Sequence, residues 1–337
     1  MKKVTVLGAG TWGVALTILL ANNGHEVTLW SKFSAETGAL AADRSNIKNL
    51  PGAVLPDSVK LTNELEEAAA GGTDMIVNTV ISPFVREVSH ALSSYIKDGT
   101  VIVNASKGIE HGTLYTMTDI ISQEIPQAKV AVLSGPSHAE EVSRHIPTTV
   151  VAGAAEKEVA MYIQDMFMNK YFRVYTSPDV LGIEIGGALK NVIALAAGAV
   201  DGLGYGDNTK AALITRGIVE IARLGEAMGA KYETFAGLSG IGDLIVTCTS
   251  LHSRNHNAGY LLGQGKSLED AKKEVGQVVE GVNSAQAALS LAAKYDVEMP
   301  IVEQVNAVLF EGKDAKEALK DLLVRDKVTE YSSLSWE

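Results

Sequence analysis

The chain has a single cysteine, Cys248, in 337 residues, which excludes an intrachain disulfide framework and fits a reducing compartment. No cysteine-protease-like signature surrounds it, so a small buried residue is expected there rather than a nucleophile. Positive charge is scarce. The 29 Lys and Arg against 40 Asp and Glu leave a net charge of −11, which argues against a nucleic-acid partner while leaving room for a local basic pocket. Long apolar runs are missing as well. Met1-Lys2-Lys3 and the apolar residues after it resemble a signal peptide only superficially, because Gly8, Gly10 and Gly13 interrupt them. Neither this segment nor 185–200 supplies the roughly 18–20 uninterrupted apolar residues of a membrane span. A cytoplasmic protein without membrane insertion is expected. The histidines lack ligand spacing, so no metal is expected, and neither a repeat nor a low-complexity linker is seen.

What is present describes a folded globular protein, 46% hydrophobic and 20% charged, and too long for one comfortable core. The first half alternates strands and helices. A short β-rich run at 4–7 meets a glycine turn and a helix that ends near Asn23-Gly24, and 26–30 supplies a second strand. Further strands are expected at 75–79, 100–104, 129–133, 148–152 and 171–175, giving a mainly parallel, doubly wound sheet. Ser177-Pro178 reads as an N-cap and first helical position, and beyond it strand signals almost vanish. Helices are expected over 179–200, 209–228, 281–294 and 300–310, so two domains are drawn, 1–178 and 179–337. The evenly apolar stretch at 185–200 belongs at the centre of the second.

Gly8-x-Gly10-x-x-Gly13 is weak as a bare pattern, but here it follows a strand and opens a helix. Gly8 permits the turn, Gly10 lets a pyrophosphate approach the backbone, and Gly13 allows close helix–sheet packing. The helix N-terminus then offers amide donors to a dinucleotide phosphate, against the alternative of a ligand-free glycine turn. Nothing acidic directly follows Trp30. Lys32 can pair with a 2′-phosphate or be a solvated loop charge, so NADPH and NADH both stay open.

Other candidates fall at strand ends and in the helical half. Lys107 can bind phosphate or polarise a carbonyl, or be an exposed loop lysine; Gly135 and Ser137 can supply donors, or Ser137 can cap a helix. Arg254 offers a fixed fork of donors to a phosphate monoester, completed by Ser253 and Asn255. Lys190 is the one ionisable group between Glu184 and Asp201. Such a lysine must reach water, find a partner or lose pKa, and in the last case it can serve as an acid or base. Asp243 can orient it, or cap a helix.

The blocks G-A-G-T-W-G, S-K-G-I-E, S-G-P-S-H-A-E-E, G-G-A-L-K-N, D-G-L-G-Y-G-D-N-T-K-A-A-L, G-I-G-D-L and S-R-N, in this order, resemble bacterial NAD(P)-dependent glycerol-3-phosphate dehydrogenase over nearly the whole chain. The resemblance implies a Rossmann domain followed by an all-helical substrate domain related to that of 6-phosphogluconate dehydrogenase. It implies interconversion of sn-glycerol 3-phosphate and dihydroxyacetone phosphate, supplying the glycerol backbone of phospholipids. Carried over by position, Lys190 exchanges the proton at the C2 oxygen and Lys107 touches both cofactor and substrate. Gly135, Ser137, Asp243, Ser253, Arg254 and Asn255 line the substrate site. Thr11, Trp12, Lys32, Phe33, Ala139, Arg254, Val278 and Glu280 fall at cofactor positions. The chain departs from the family at Lys32-Phe33, where a pair such as His-Arg is frequent, at His138 for a usual phenylalanine, and at His256 for a common arginine. Two other readings compete: a ketopantoate or β-hydroxyacid reductase, which would need a carboxylate site, and a catalytically silent nucleotide sensor. The apolar helical half leaves room for a homodimer interface that no residue pattern locates.

Overall fold

The computed structural model describes residues 1–330 with the exception of 46, 49, 71 and 328, so 331–337, the end of the expected second domain, lie outside the described residues. Strands β1 (Lys3–Leu7), β2 (Glu26–Trp30), β3 (Lys60–Thr62), β4 (Met75–Asn78), β5 (Val101–Asn104), β6 (Lys129–Ser134), β7 (Thr148–Ala154) and β8 (Phe172–Ser177) form one sheet. Its order is β3-β2-β1-β4-β5-β6-β7-β8. Helices α1 (Thr11–Asn22), α2 (Ser34–Ala42), α3 (Leu65–Ala70), α4 (Val85–Leu92), α5 (Met117–Glu124), α6 (Ala139–Val142) and α7 (Lys157–Phe167) alternate with the strands.

The central strands β4 and β5 are fully buried apolar runs ending in asparagine, as a sheet covered on both faces requires. Every neighbouring pair is parallel except β6 and β7, which run antiparallel. The one-turn α6 between them is too short for a parallel crossover. The chain leaves β1 toward β2 on one side and returns to β4 on the other, so the C-terminal end of β1 is the topological switch point. The glycine turn lies there. Gly8 has φ +105°, and a Cβ on Gly13 would stand 1.9 Å from the Gly8 carbonyl oxygen, which leaves that position to glycine.

The helical half holds α8 (Val180–Gly202), α9 (Asp207–Ala227), α10 (Tyr232–Phe235), α11 (Asp243–Thr249), α12 (Arg254–Gly263), α13 (Leu268–Val275), α14 (Glu280–Tyr295), α15 (Pro300–Phe310) and α16 (Ala315–Leu323). The expected cap at Ser177-Pro178 is corrected: Ser177 closes β8 and Asp179 is the N-cap. One Asp179 oxygen accepts from the Gly182 amide at 3.1 Å, and the other from the Lys231 amide at 2.9 Å and the Thr234 hydroxyl at 2.5 Å. A serine hydroxyl two residues earlier has neither the reach nor the second oxygen to bind α8 to α10 in this way.

Helix α8 is long and apolar enough to cross a membrane by length and composition, yet 83% of that stretch is buried inside the protein. It is the axis of the helical core, with α9, α11, α12 and α14 packed around it. Against α12 the two backbones touch. A Cβ on Gly198 would lie 1.9 Å from the His256 carbonyl oxygen, and one on Gly259 would lie 2.0 Å from that of Leu195. Cys248 is wholly buried in this core, where burial pushes its thiol up to about 12 and leaves it inert.

Candidate active site

A cleft of about 550 Å³ opens between the C-terminal end of the sheet and the helical half. Its sheet side begins at Gly10, the N-cap of α1, which has extended backbone (φ −68°, ψ 173°) and contributes no side-chain cap. The first-turn amides of α1 therefore keep their donors for a ligand, and no acidic side chain occupies that turn. A Cβ on Gly10 would meet nothing within 4 Å, so the backbone there is open to a phosphate. Trp12 is pinned by an indole N–H donated to the Ala105 carbonyl at 3.2 Å. These are the features a pyrophosphate cradle needs, and the residues present fit a dinucleotide.

Lys107, Lys190 and Asp243 meet at the floor. Their sequence separations are 136 and 53 residues, so only the fold unites them. Lys190 Nζ donates to Asp243 Oδ1 at 2.5 Å and to the Thr247 hydroxyl at 2.7 Å. Lys107 Nζ donates to the other carboxylate oxygen at 2.6 Å and approaches the Gly135 carbonyl at 3.5 Å. Asp243 opens α11 without capping it. The preceding 238–242 make an i→i+5 turn, with the Gly242 amide on the Gly237 carbonyl at 3.2 Å. Such a wide turn shifts the face of the next helix and aims Asp243 at the lysines. Thr247, one turn along α11, returns its proton to the Asp243 carbonyl at 2.6 Å, which fixes its lone pairs toward Lys190.

Two ammonium groups share one carboxylate, so the cluster holds a surplus positive charge out of water. Burial is the main force lowering Lys190, the neighbouring Lys107 adds to it, and Asp243 opposes both; the resulting pKa is about 8. Burial alone would raise the Asp243 carboxyl, but the two lysines outweigh it and hold it below the usual range. Lys190 is thus the member able to change protonation near neutrality.

Facing this floor, Ser253 caps α12 by accepting from the His256 amide at 3.2 Å. Arg254 follows, half-buried and with no ion pair among the described residues. Asn255 is locked by Asn191 Oδ1 at 2.9 Å and the Gly281 amide at 2.8 Å. Glu280 lies across from Arg254, its carboxyl raised by burial and moderated by that guanidinium. Ser137 donates to the Gly135 carbonyl at 2.9 Å rather than capping α6, whose N-cap is His138.

Gly10, Thr11, Trp12, Gly13, Lys107, Ser137, Ala139, Lys190, Ser253, Arg254, Asn255 and Glu280 all line the cleft. Gly8, Gly135 and Asp243 do not line it: Gly8 forms the glycine turn, the Gly135 carbonyl stands 3.5 Å from Lys107 Nζ, and Asp243 holds the lysines. Lys32, Phe33 and Val278 do not line it. Lys32 is ion-paired to Glu87 at 2.5 Å, and Phe33 and Val278 are 61% and 40% exposed. Sequence reasoning missed Thr247, whose i+4 spacing from Asp243 was the available signal. It also missed Glu36, six residues past β2, which lines the cleft and accepts from the Ser31 hydroxyl at 2.5 Å. His256, at one of the departures, is buried with Nε2 2.8 Å from Asp201, which also pairs with Lys210.

Residues 3–160 match the family described as NAD-dependent glycerol-3-phosphate dehydrogenase N-terminus, and 179–320 match its C-terminus. A glycerol-3-phosphate dehydrogenase [NAD(P)+] from Agathobacter rectalis is 58% identical over 337 residues, covering all of both chains. One from Fusobacterium nucleatum is also 58% identical, over 99% of this chain and 100% of its own. The crystal structure of the Coxiella burnetii glycerol-3-phosphate dehydrogenase superposes with a TM-score of 0.92 at 36% identity, covering 96% of this chain and 99% of that one.

Proposed function

Because the chain belongs to the NAD-dependent glycerol-3-phosphate dehydrogenase family, we propose a division of labour among the residues of its cleft. The protein is an NAD(P)-dependent oxidoreductase that interconverts sn-glycerol 3-phosphate and dihydroxyacetone phosphate. The observation that carries the assignment of roles is the pair of lysines sharing the Asp243 carboxylate in one cleft with Arg254, which has no ion pair among the described residues. When bound, the nicotinamide supplies or takes up hydride at C2.

The protein's share is the proton and the positioning. Arg254, at the N-terminus of α12 with Ser253 and Asn255, holds the phosphate, which brings the C2 oxygen over the lysine pair. In reduction Lys190 donates its proton to that oxygen as hydride arrives; in oxidation it accepts the proton. Lys107 stabilises the developing negative charge, and Asp243 with Thr247 fixes the Lys190 rotamer. The α1 amides take the dinucleotide pyrophosphate. The enzyme is cytoplasmic and supplies the glycerophosphate backbone for phospholipids.

Opposite pH profiles follow from the Lys190 pKa of about 8. Oxidation needs the neutral amine, whose fraction grows as pH rises through that value; reduction needs the ammonium, which is lost over the same interval. The kcat/KM of glycerol 3-phosphate oxidation is therefore expected to rise about tenfold from pH 7 to 9 and that of dihydroxyacetone phosphate reduction to fall about tenfold. Profiles of the same slope in both directions would exclude Lys190 as the proton carrier.

Initial rates with NADH and NADPH in parallel, on dihydroxyacetone phosphate and on ketopantoate, test the reaction. Turnover of ketopantoate alone would overturn it. Glu36 bears on the cofactor, since its carboxylate disfavours a 2′-phosphate while accepting from ribose hydroxyls. Glu36→Gln is expected to raise the ratio of kcat/KM for NADPH over NADH about tenfold, the equivalent of ~1.4 kcal/mol. An unchanged ratio removes Glu36 from cofactor selection.

A further inference from the structure

One buried acid has no part in the reaction as derived. Glu184 lies on α8 where that helix meets the C-terminal end of β5 and the N-terminus of α5, and it is 7% exposed. No cation among the described residues pairs with it. Its Oε1 accepts from the Thr118 amide at 3.0 Å and from Asn104 Nδ2 at 3.3 Å, and its Oε2 accepts from the Thr118 hydroxyl. An unpaired carboxylate in such a place costs free energy, and burial pushes its pKa up to about 7 despite these donors. These three hydrogen bonds all run from a helix of the helical half to elements of the sheet half.

The partner Asn104 is fully buried at the end of β5 and spends its remaining capacity on the turn that follows. Its Nδ2 also donates to the Ser106 carbonyl at 2.9 Å, while its Oδ1 accepts from the Ser106 amide at 3.1 Å and Asn78 Nδ2 at 3.0 Å. The Ser106 hydroxyl donates to the Val80 carbonyl at 2.5 Å. The next residue is Lys107. One turn along α8 from Glu184, a Cβ on Gly187 would lie 3.6 Å from Lys107 Cγ and Cδ, so the lysine stem crosses the helix there. Helix α8 thus meets the Lys107 segment at its root through Glu184, along its stem at Gly187, and at its head through the Asp243 that Lys190 shares.

We propose that Glu184 is a positioning residue for the reaction: through Asn104 it fixes the 104–107 turn and thereby sets where the Lys107 ammonium stands against Asp243 and the substrate. The inference rests on the substrate-contacting role given to Lys107 above. Glu184 does not touch the reacting atoms. It acts on catalysis only through the lysine, and that dependence separates it from a residue that merely supports the fold.

A double-mutant cycle reads that dependence directly. Glu184→Ala is expected to lower kcat/KM for dihydroxyacetone phosphate about 30-fold when Lys107 is present, and less than about threefold in a Lys107→Ala background. The dissociation constant for NADH, followed by its fluorescence without substrate, should stay within about threefold in Glu184→Ala, showing a folded protein with its dinucleotide cradle intact. Glu184→Gln keeps an acceptor for Asn104 and Thr118 and should restore most of the rate; a Gln variant as damaged as Ala overturns the tether. Asn104→Ala cuts the link from the other side and carries the same cycle should Glu184→Ala not fold. Equal fold-losses in both Lys107 backgrounds overturn the proposal while leaving the reaction assignment standing. A Lys107→Ala enzyme of undiminished kcat/KM overturns both the proposal and the Lys107 role, and an unsubstituted protein inert toward dihydroxyacetone phosphate overturns the reaction itself.

Discussion

Lys190→Ala is expected to lower kcat by at least about 10³-fold in both directions with little change in the affinity for either ligand, because positioned acid–base catalysis contributes about 10²–10⁴. The loss should fall on kcat because Arg254 and the α1 amides, to which the proposal assigns the two ligands, are untouched. Folding should survive. Lys107, 2.6 Å from Asp243 in the unsubstituted protein, is still present in the variant, so the buried carboxylate is not left without a cation. Steady-state kinetics, thermal denaturation and NADH binding together check these three statements. A kcat within tenfold of the unsubstituted enzyme, with the fold intact, would move the proton to another group.

Arg254→Ala should act on the other kinetic constant. Removing a charge-assisted fork from a half-buried site is expected to raise KM for dihydroxyacetone phosphate about 100-fold, or ~2.7 kcal/mol, and to change kcat much less. The backbone that carries the guanidinium needs no ordering on binding, since Ser253 caps the helix beneath it and the helix itself is packed backbone to backbone on α8. Dihydroxyacetone, which lacks the phosphate, provides the control: its kcat/KM should be the same with arginine or alanine at 254. An unchanged KM for the phosphorylated substrate would tell against the phosphate role.

Most of the sheet was legible because seven of its strands are local statements, four to seven β-rich residues closed by a turn, whereas β3 has only three residues and was not. The expected strands at 75–79 and 129–133 differ from the observed ones by a residue at one end. The antiparallel β6–β7 pair was not legible, since strand direction depends on the length and path of a connection rather than on the strand. In the helical half the long helices α8, α9, α14 and α15 were readable from their apolar content, whereas α11, α12 and α13 are short and carry polar or glycine-rich segments between them. Lys190 stood out because no other ionisable group lies between Glu184 and Asp201. Glu184 sits only six residues earlier and drew no notice, because its partners Asn104 and Thr118 are 80 and 66 residues away. Lys32 was the opposite case, a charge well placed in sequence but engaged by Glu87 in the fold.

The contact between α8 and α12 has a mechanical consequence. Where a carbonyl oxygen occupies the space a side chain would take, neither helix has a ridge free to move into a new groove, so the pair cannot slide past itself or roll. The two helices must then travel as one solid piece. Lys190 on α8 and Arg254 on α12 therefore keep their spacing whatever the cleft does around its ligands, whereas Lys107 is carried by the sheet half.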